Sequence, residues 1–186
     1  AEIDRVRKIT YEEIVAMNGK HPNGNPNIQL DVVRGEEFEM YMMADMLKRI
    51  IESDREDKKC VMIMCNPCPT YRKVAYMLKQ LKVNCRNVKF YMMDEWADED
   101  GNIAPETYEA GFVHSMLKYL VYQIDPKLRM PMENVHYPTN KNINDYSKII
   151  NDISEGGADI ISTSPGWTGH VAFVDPIPEF IGSGDI

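Results

Sequence analysis

The chain has 186 residues, with 21 Lys and Arg against 29 Asp and Glu, a formal net charge of −8 with histidines neutral. At 44% hydrophobic and 27% charged it has the composition of one globular domain with a real core, which excludes disordered, collagen-like and coiled-coil classes. The acidic balance argues against nucleic acid or an anionic membrane as partner, no apolar run is long enough to span a bilayer, and Ala1-Glu2-Ile3-Asp4-Arg5 has no signal-peptide pattern. Four cysteines, at 60, 65, 68 and 85, are too few and too clustered for a disulfide framework, so a reducing, cytoplasmic setting is expected.

Residues 1–35 read as a weakly patterned leading segment, in which His21-Pro22-Asn23-Gly24-Asn25-Pro26-Asn27 is dense enough in turn formers to be a loop. Residues 36–186 read as the domain proper. Phe38, Met42, Met46, Leu47, Ile50 and Ile51 recur at helical spacing and predict a helix over 36–54. The continuous apolar run at 59–65 predicts a buried strand, broken by Asn66-Pro67-Cys68-Pro69 before a helical period resumes over 71–81. Residues 87–92 predict a second strand, Met93-Asp94-Glu95-Trp96 closes it, and Asp98-Glu99-Asp100-Gly101-Asn102 is a polar loop. A helix is predicted from Pro105 to just before Asp125-Pro126, followed by a variable loop containing Pro131 and Pro138. A helix over 144–154, a stop at Gly156-Gly157, a third strand over 158–162 and a turn over 164–170 complete the pattern. Strands alternating with helices imply an α/β fold with three layers, a mostly parallel sheet and Rossmann-like topology.

In such a sheet the ligand lies beyond the carboxyl ends of the strands, where helices begin with unmatched backbone N–H groups. Three segments occupy those positions, and each carries unusual residues. Asp94-Glu95 ends a hydrophobic strand, where a carboxylate can abstract a proton beside a carbonyl; the plainer alternative is a helix cap or a solvated loop carboxylate. His170 follows a glycine-containing turn, and Asp175 five residues on is a candidate to orient its ring; the alternative is a turn histidine satisfied by backbone. Cys65-Asn66-Pro67-Cys68 sits between strand and helix, the setting of a redox dithiol, but Pro69 follows and no Trp precedes it, which favours incidental thiols. The cysteines and histidines show no zinc-ligand spacing.

In this order and spacing the segments resemble the glucosamine-6-phosphate deaminase/isomerase family, whose fold is shared with 6-phosphogluconolactonase. The resemblance spans about residues 36–180. Met93-Asp94-Glu95-Trp96 is similar to the family's Met-Asp-Glu-Tyr, and Gly169-His170-Val171-Ala172-Phe173-Val174-Asp175-Pro176 to Gly-His-Ile-Ala-Phe-Asn-Glu-Pro. Supporting pieces are Ala104-Pro105-Glu106-Thr107-Tyr108, Gln123-Ile124-Asp125, Glu133-Asn134-Val135 and Gly156-Gly157-Ala158-Asp159. The resemblance implies a domain that moves a proton between C1 and C2 of an open-chain phosphorylated amino sugar through an enediol. Asp94 would be the base, His170 the group assisting ring opening and Asp175 its orienting carboxylate. Asn66, Cys68, Thr70, Glu95, Gly166, Thr168 and Gly169 would bind the sugar phosphate. Neither metal nor organic cofactor is implied, and a homo-oligomer is compatible with the family.

The chain departs from the pattern at Thr168, where the family has Asp, at Asp175 for Glu, and at Pro67 and Cys68 in the phosphate loop. It also stops at Ile186, short of a further strand-helix portion of the family, as a truncated member would. A non-catalytic sugar-phosphate-binding homologue and a 6-phosphogluconolactonase-like hydrolase are the alternative functions.

Overall fold

The computed structural model describes residues 7–65, 69–154 and 157–163. The chain divides into two compact units, residues up to Tyr41 and residues from Met42 onward.

In the first unit the leading segment contains a helix the hydrophobic pattern did not signal, α1 (Tyr11–Val15). Thr10 and Glu13 explain it as a reciprocal cap. The Glu13 amide donates to Thr10 Oγ1 at 3.2 Å, and the Thr10 amide donates to Glu13 Oε2 at 2.7 Å. The Asn/Pro/Gly loop forms as predicted, with a single 3₁₀ turn at Pro22–Gly24. The segments flanking it close through Gly19 N–H to Leu30 O at 2.7 Å and Leu30 N–H to Lys20 O at 3.0 Å. None of residues 7–34 is buried.

The long helix α2 (Gly35–Glu56) buries Met46, Leu47, Ile50 and Ser53, the apolar stripe read from the sequence. Asp57 then adopts φ +51°, the left-handed stop that reverses the chain into β1 (Cys60–Met64). The next elements are α3 (Pro69–Leu81), β2 (Val88–Met92), α4 (Phe112–Tyr119), β3 (Val135–His136), α5 (Tyr146–Ser154) and β4 (Ile160–Ile161). The described strands form one sheet in the order β3-β2-β1-β4, with every pairing parallel.

Alternation along the strands separates the two faces. Cys60, Met62, Met64, Val88, Phe90 and Met92 point into the larger core with α2, α3 and α4. Val61 and Tyr91 point the other way and pack with Tyr146 of α5, backed by Ile63, Ile149 and Ile150. Helices therefore cover both faces, and the expected three-layer parallel α/β architecture is present. Among the described residues no helix is long and apolar enough to cross a membrane.

Two sequence expectations need correction. The helix predicted from Pro105 begins at Phe112 instead, because residues 105–111 make consecutive turns, Tyr108 N–H to Pro105 O and Gly111 N–H to Tyr108 O, each at 2.8 Å. The region read as a loop around Pro131 and Pro138 contains the edge strand β3, too short at two residues to leave a period in the sequence.

Candidate functional site

The sheet order brings three chain segments to one edge. β1 and β2 pair in register from Cys60 opposite Val88 to Met64 opposite Met92, and the Met93 amide extends the ladder by donating to Met64 O at 2.8 Å. On the other side of β1 the Ser162 amide donates to Ile63 O at 2.9 Å. The exits of β1, β2 and β4 thus lie side by side, with β1 and β4 at the point where the strand order reverses. That crevice is where open parallel sheets bind ligands.

At the exit of β1, Tyr71 is buried and its hydroxyl donates to Cys65 O at 3.1 Å, which ties the start of α3 back to the strand. Thr70, in the first turn of α3, is also fully buried, and its Oγ1 has no hydrogen-bond partner among the described residues. An unmatched buried hydroxyl is costly, and here it lies in the turn whose backbone N–H groups lack helical acceptors. Asn66 and Cys68 lie outside the described residues. Arg72 lays its guanidinium over the Tyr119 ring, 4.0 Å from the centroid.

At the exit of β2, Asp94 is partly buried two residues beyond the strand. Its neighbour Glu95 has a different occupation. Glu95 Oε1 accepts from the amides of Trp96 at 2.8 Å and Phe112 at 3.0 Å, and Oε2 from the amide of Val113 at 2.7 Å. The carboxylate therefore sits on the N-terminus of α4, where unmatched donors and the helix dipole both favour an anion. Trp96 leans on Phe112 with ring centroids 5.1 Å apart and remains 48% exposed.

At the exit of β4 the described chain ends at residue 163, and Gly166, Thr168, Gly169, His170 and Asp175 lie outside it. The structure thus brings Thr70, Asp94 and Glu95 to the same end of neighbouring strands.

Sequence reasoning passed over a second aromatic group on the opposite face of the sheet. Tyr91 stacks on His136, centroids 4.7 Å apart and 16° from parallel, and meets Tyr146 edge-on at 6.5 Å. Burial pushes the Tyr91 hydroxyl up to about 12, while burial and then the Lys89 charge hold His136 below its ordinary value. The only available signal was the alternation that places Tyr91 opposite Phe90 and Met92. Among the described residues no three His, Cys, Asp or Glu side chains are grouped to hold a metal ion.

No family model matches the chain, and no curated protein matches it in sequence. Solved structures do resemble it. A monomeric glucosamine-6-phosphate deaminase, described as a missing link of the NagB superfamily, aligns with a TM-score of 0.61 at 16% identity over 77% of this chain and 57% of its own. A 6-phosphogluconolactonase from Thermotoga maritima aligns with a TM-score of 0.54 at 18% identity over 74% of this chain and 60% of its own. The chain spans less than two thirds of the length of either. The α/β fold of this chain, a parallel sheet with helices on both faces, is thus similar to the fold of these two structures.

Proposed function

We propose that the chain carries a site for isomerisation and deamination of a phosphorylated amino sugar, with Asp94 as the base. The observation that supports it is the parallel pairing of β1 and β2, with Asp94 at the same end of the strands as the buried hydroxyl of Thr70, which is unmatched among the described residues. A sugar phosphate needs its two ends held by different chemistry. In this reading the phosphate is taken by Thr70 and the first-turn amides of α3, helped by Asn66 and Cys68. The sugar's reacting carbons lie against Asp94, lined by Gly166, Thr168 and Gly169.

The steps follow from that placement. His170, oriented by Asp175, assists opening of the sugar ring to the aldehyde. The Asp94 carboxylate takes the proton from C2, leaving the enediol-type intermediate with its charge on the C1 oxygen; that oxygen takes a proton from the C2 ammonium, and Asp94 returns its proton to C1. The nitrogen substituent at C2 is then an imine, and water releases ammonia from it to leave the ketose phosphate. No organic cofactor is required for this proton traffic, since the substrate's own carbonyl stabilises the carbanion.

The experiment is a coupled assay for fructose 6-phosphate and ammonia from glucosamine 6-phosphate on the wild type and Asp94→Asn. Turnover in the wild type that falls by ~10² to 10⁴ in the variant is expected for loss of a general base. A wild type without turnover contradicts the proposal.

Thr168 in place of the family's Asp, and Pro67 without an amide to offer phosphate, favour a second reading, binding without catalysis. Titration calorimetry with glucosamine 6-phosphate separates the two, because heat of binding without product marks a binding protein. Hydrolysis of 6-phosphogluconolactone by the same preparation would mark the lactonase alternative.

A further inference from the structure

We infer that Glu95 is a positioning residue that clamps Asp94 between the sheet and α4. The inference rests on the reading of Asp94 as the base. On the sheet side, Met93 is fixed by its backbone N–H, which donates to Met64 O at 2.8 Å. On the helix side, the Glu95 carboxylate gathers the amides of Trp96, Phe112 and Val113 within 3.0 Å. Residue 94 is the single link between those two anchors. The helix anchor is itself fixed, because Phe112 and Val113, whose amides meet the carboxylate, are buried in the main core.

The clamp explains a glycine. Gly111 has an ordinary φ of −73°, so its backbone conformation does not require glycine. Space does. A Cβ there would stand 2.9 Å from Tyr108 O and 3.1 Å from Glu95 Oε2, inside the volume the carboxylate needs. It also explains why two carboxylates stand next to each other without competing for one role, since Glu95 is spent on backbone donors and a helix end. A shift of about 1 Å in a reacting group can reduce turnover ~10²-fold, so fixing the base is a catalytic requirement.

Two variants disturb the clamp in different ways. Glu95→Gln keeps the shape and removes the charge and one acceptor; Gly111→Ala keeps the charge and crowds the carboxylate together with the Tyr108 carbonyl. Leu117→Ala is the control, because it loosens the same helix from its core without touching the cap. Two readouts are taken: kcat and KM with glucosamine 6-phosphate, and amide hydrogen exchange at Trp96, Phe112 and Val113.

In both clamp variants kcat should fall ~10- to 100-fold with KM within about threefold, while Leu117→Ala keeps kcat within about threefold despite a lower thermal midpoint. Exchange at the three amides should rise at least ~10-fold in the clamp variants, with Met93 still protected. Equal kcat losses in the clamp variants and Leu117→Ala, or unchanged kcat in the clamp variants, would overturn the positioning role while leaving Asp94 as base. Unchanged exchange would overturn the clamp itself, whatever the kinetics. A wild type without turnover whose three amides still open in both variants would retain the clamp and remove the base.

Discussion

The Glu95 carboxylate, next to Asp94 in the chain, is placed by the backbone donors that reach it, the amides of Trp96, Phe112 and Val113. Charge partners decide matters in the same way at the opposite end of the sheet. Asp54 accepts from the Asn84 amide at 2.9 Å and pairs with Arg86 at 2.5 Å, while Arg86 also reaches Asp57 at 2.8 Å. The Asn84 amide first, and then Arg86, hold the Asp54 carboxyl below its usual value against an opposing push from burial. A carboxyl lowered in the folded state adds stability that is fully present above its unfolded value near 3.8 and is lost as pH falls through the lower folded value. Asp54→Asn should therefore melt earlier than the wild type at pH 7 and lose less of its thermal midpoint between pH 5 and pH 3. Parallel melting curves across that range would contradict the account. The thiols give a second check: burial pushes Cys60 and Cys85 up to about 12, so neither should react with Ellman's reagent until the protein unfolds.

At the scale of elements, α3 and α5 show how the two faces of the sheet are held. Leu78 of α3 is fully buried in the main core, so Leu78→Ala should lower the unfolding free energy by ~2 to 5 kcal/mol in urea titration, through lost transfer energy and a residual cavity. On the other face the Tyr146 hydroxyl donates to Met92 O at 2.8 Å in a buried setting. Tyr146→Phe removes that donor and leaves the carbonyl unmatched, at ~1 to 3 kcal/mol. Because Met92 ends β2 two residues before Asp94, the same variant tests whether the second face supports the site: a loss of stability with unchanged kcat would show that it supports the fold alone.

For the whole molecule, burial is concentrated after Met42. None of residues 7–34 is buried, and Tyr11, Phe38 and Tyr41 are 59% exposed or more. A chain beginning at Gly35 should accordingly fold with a thermal midpoint within ~4 °C of the full chain, since removal of solvated residues changes stability by less than about 1 kcal/mol. A much larger drop, read by circular dichroism, would show that the leading segment stabilises the rest.

By itself the sequence determined the alternation of elements and the candidate base. The apolar runs at 59–65 and 87–92 were read as buried strands and the stripe from Phe38 to Ile51 as a helix face, because run length and helical spacing are local features of the chain. The place of Asp94 just beyond such a run was legible for the same reason, while its proposed role came from the resemblance of Met93-Asp94-Glu95-Trp96 to the family motif. Tertiary structure decided what no local pattern encodes. It delayed α4 to Phe112, because its cap comes from Glu95, 17 residues earlier in the chain. It made Val135–His136 a strand, because Phe90 and Tyr91 offer it a ladder. It also set the Glu95 carboxylate on the N-terminus of α4, because two of the three amides that donate to it belong to Phe112 and Val113, which only folding brings near.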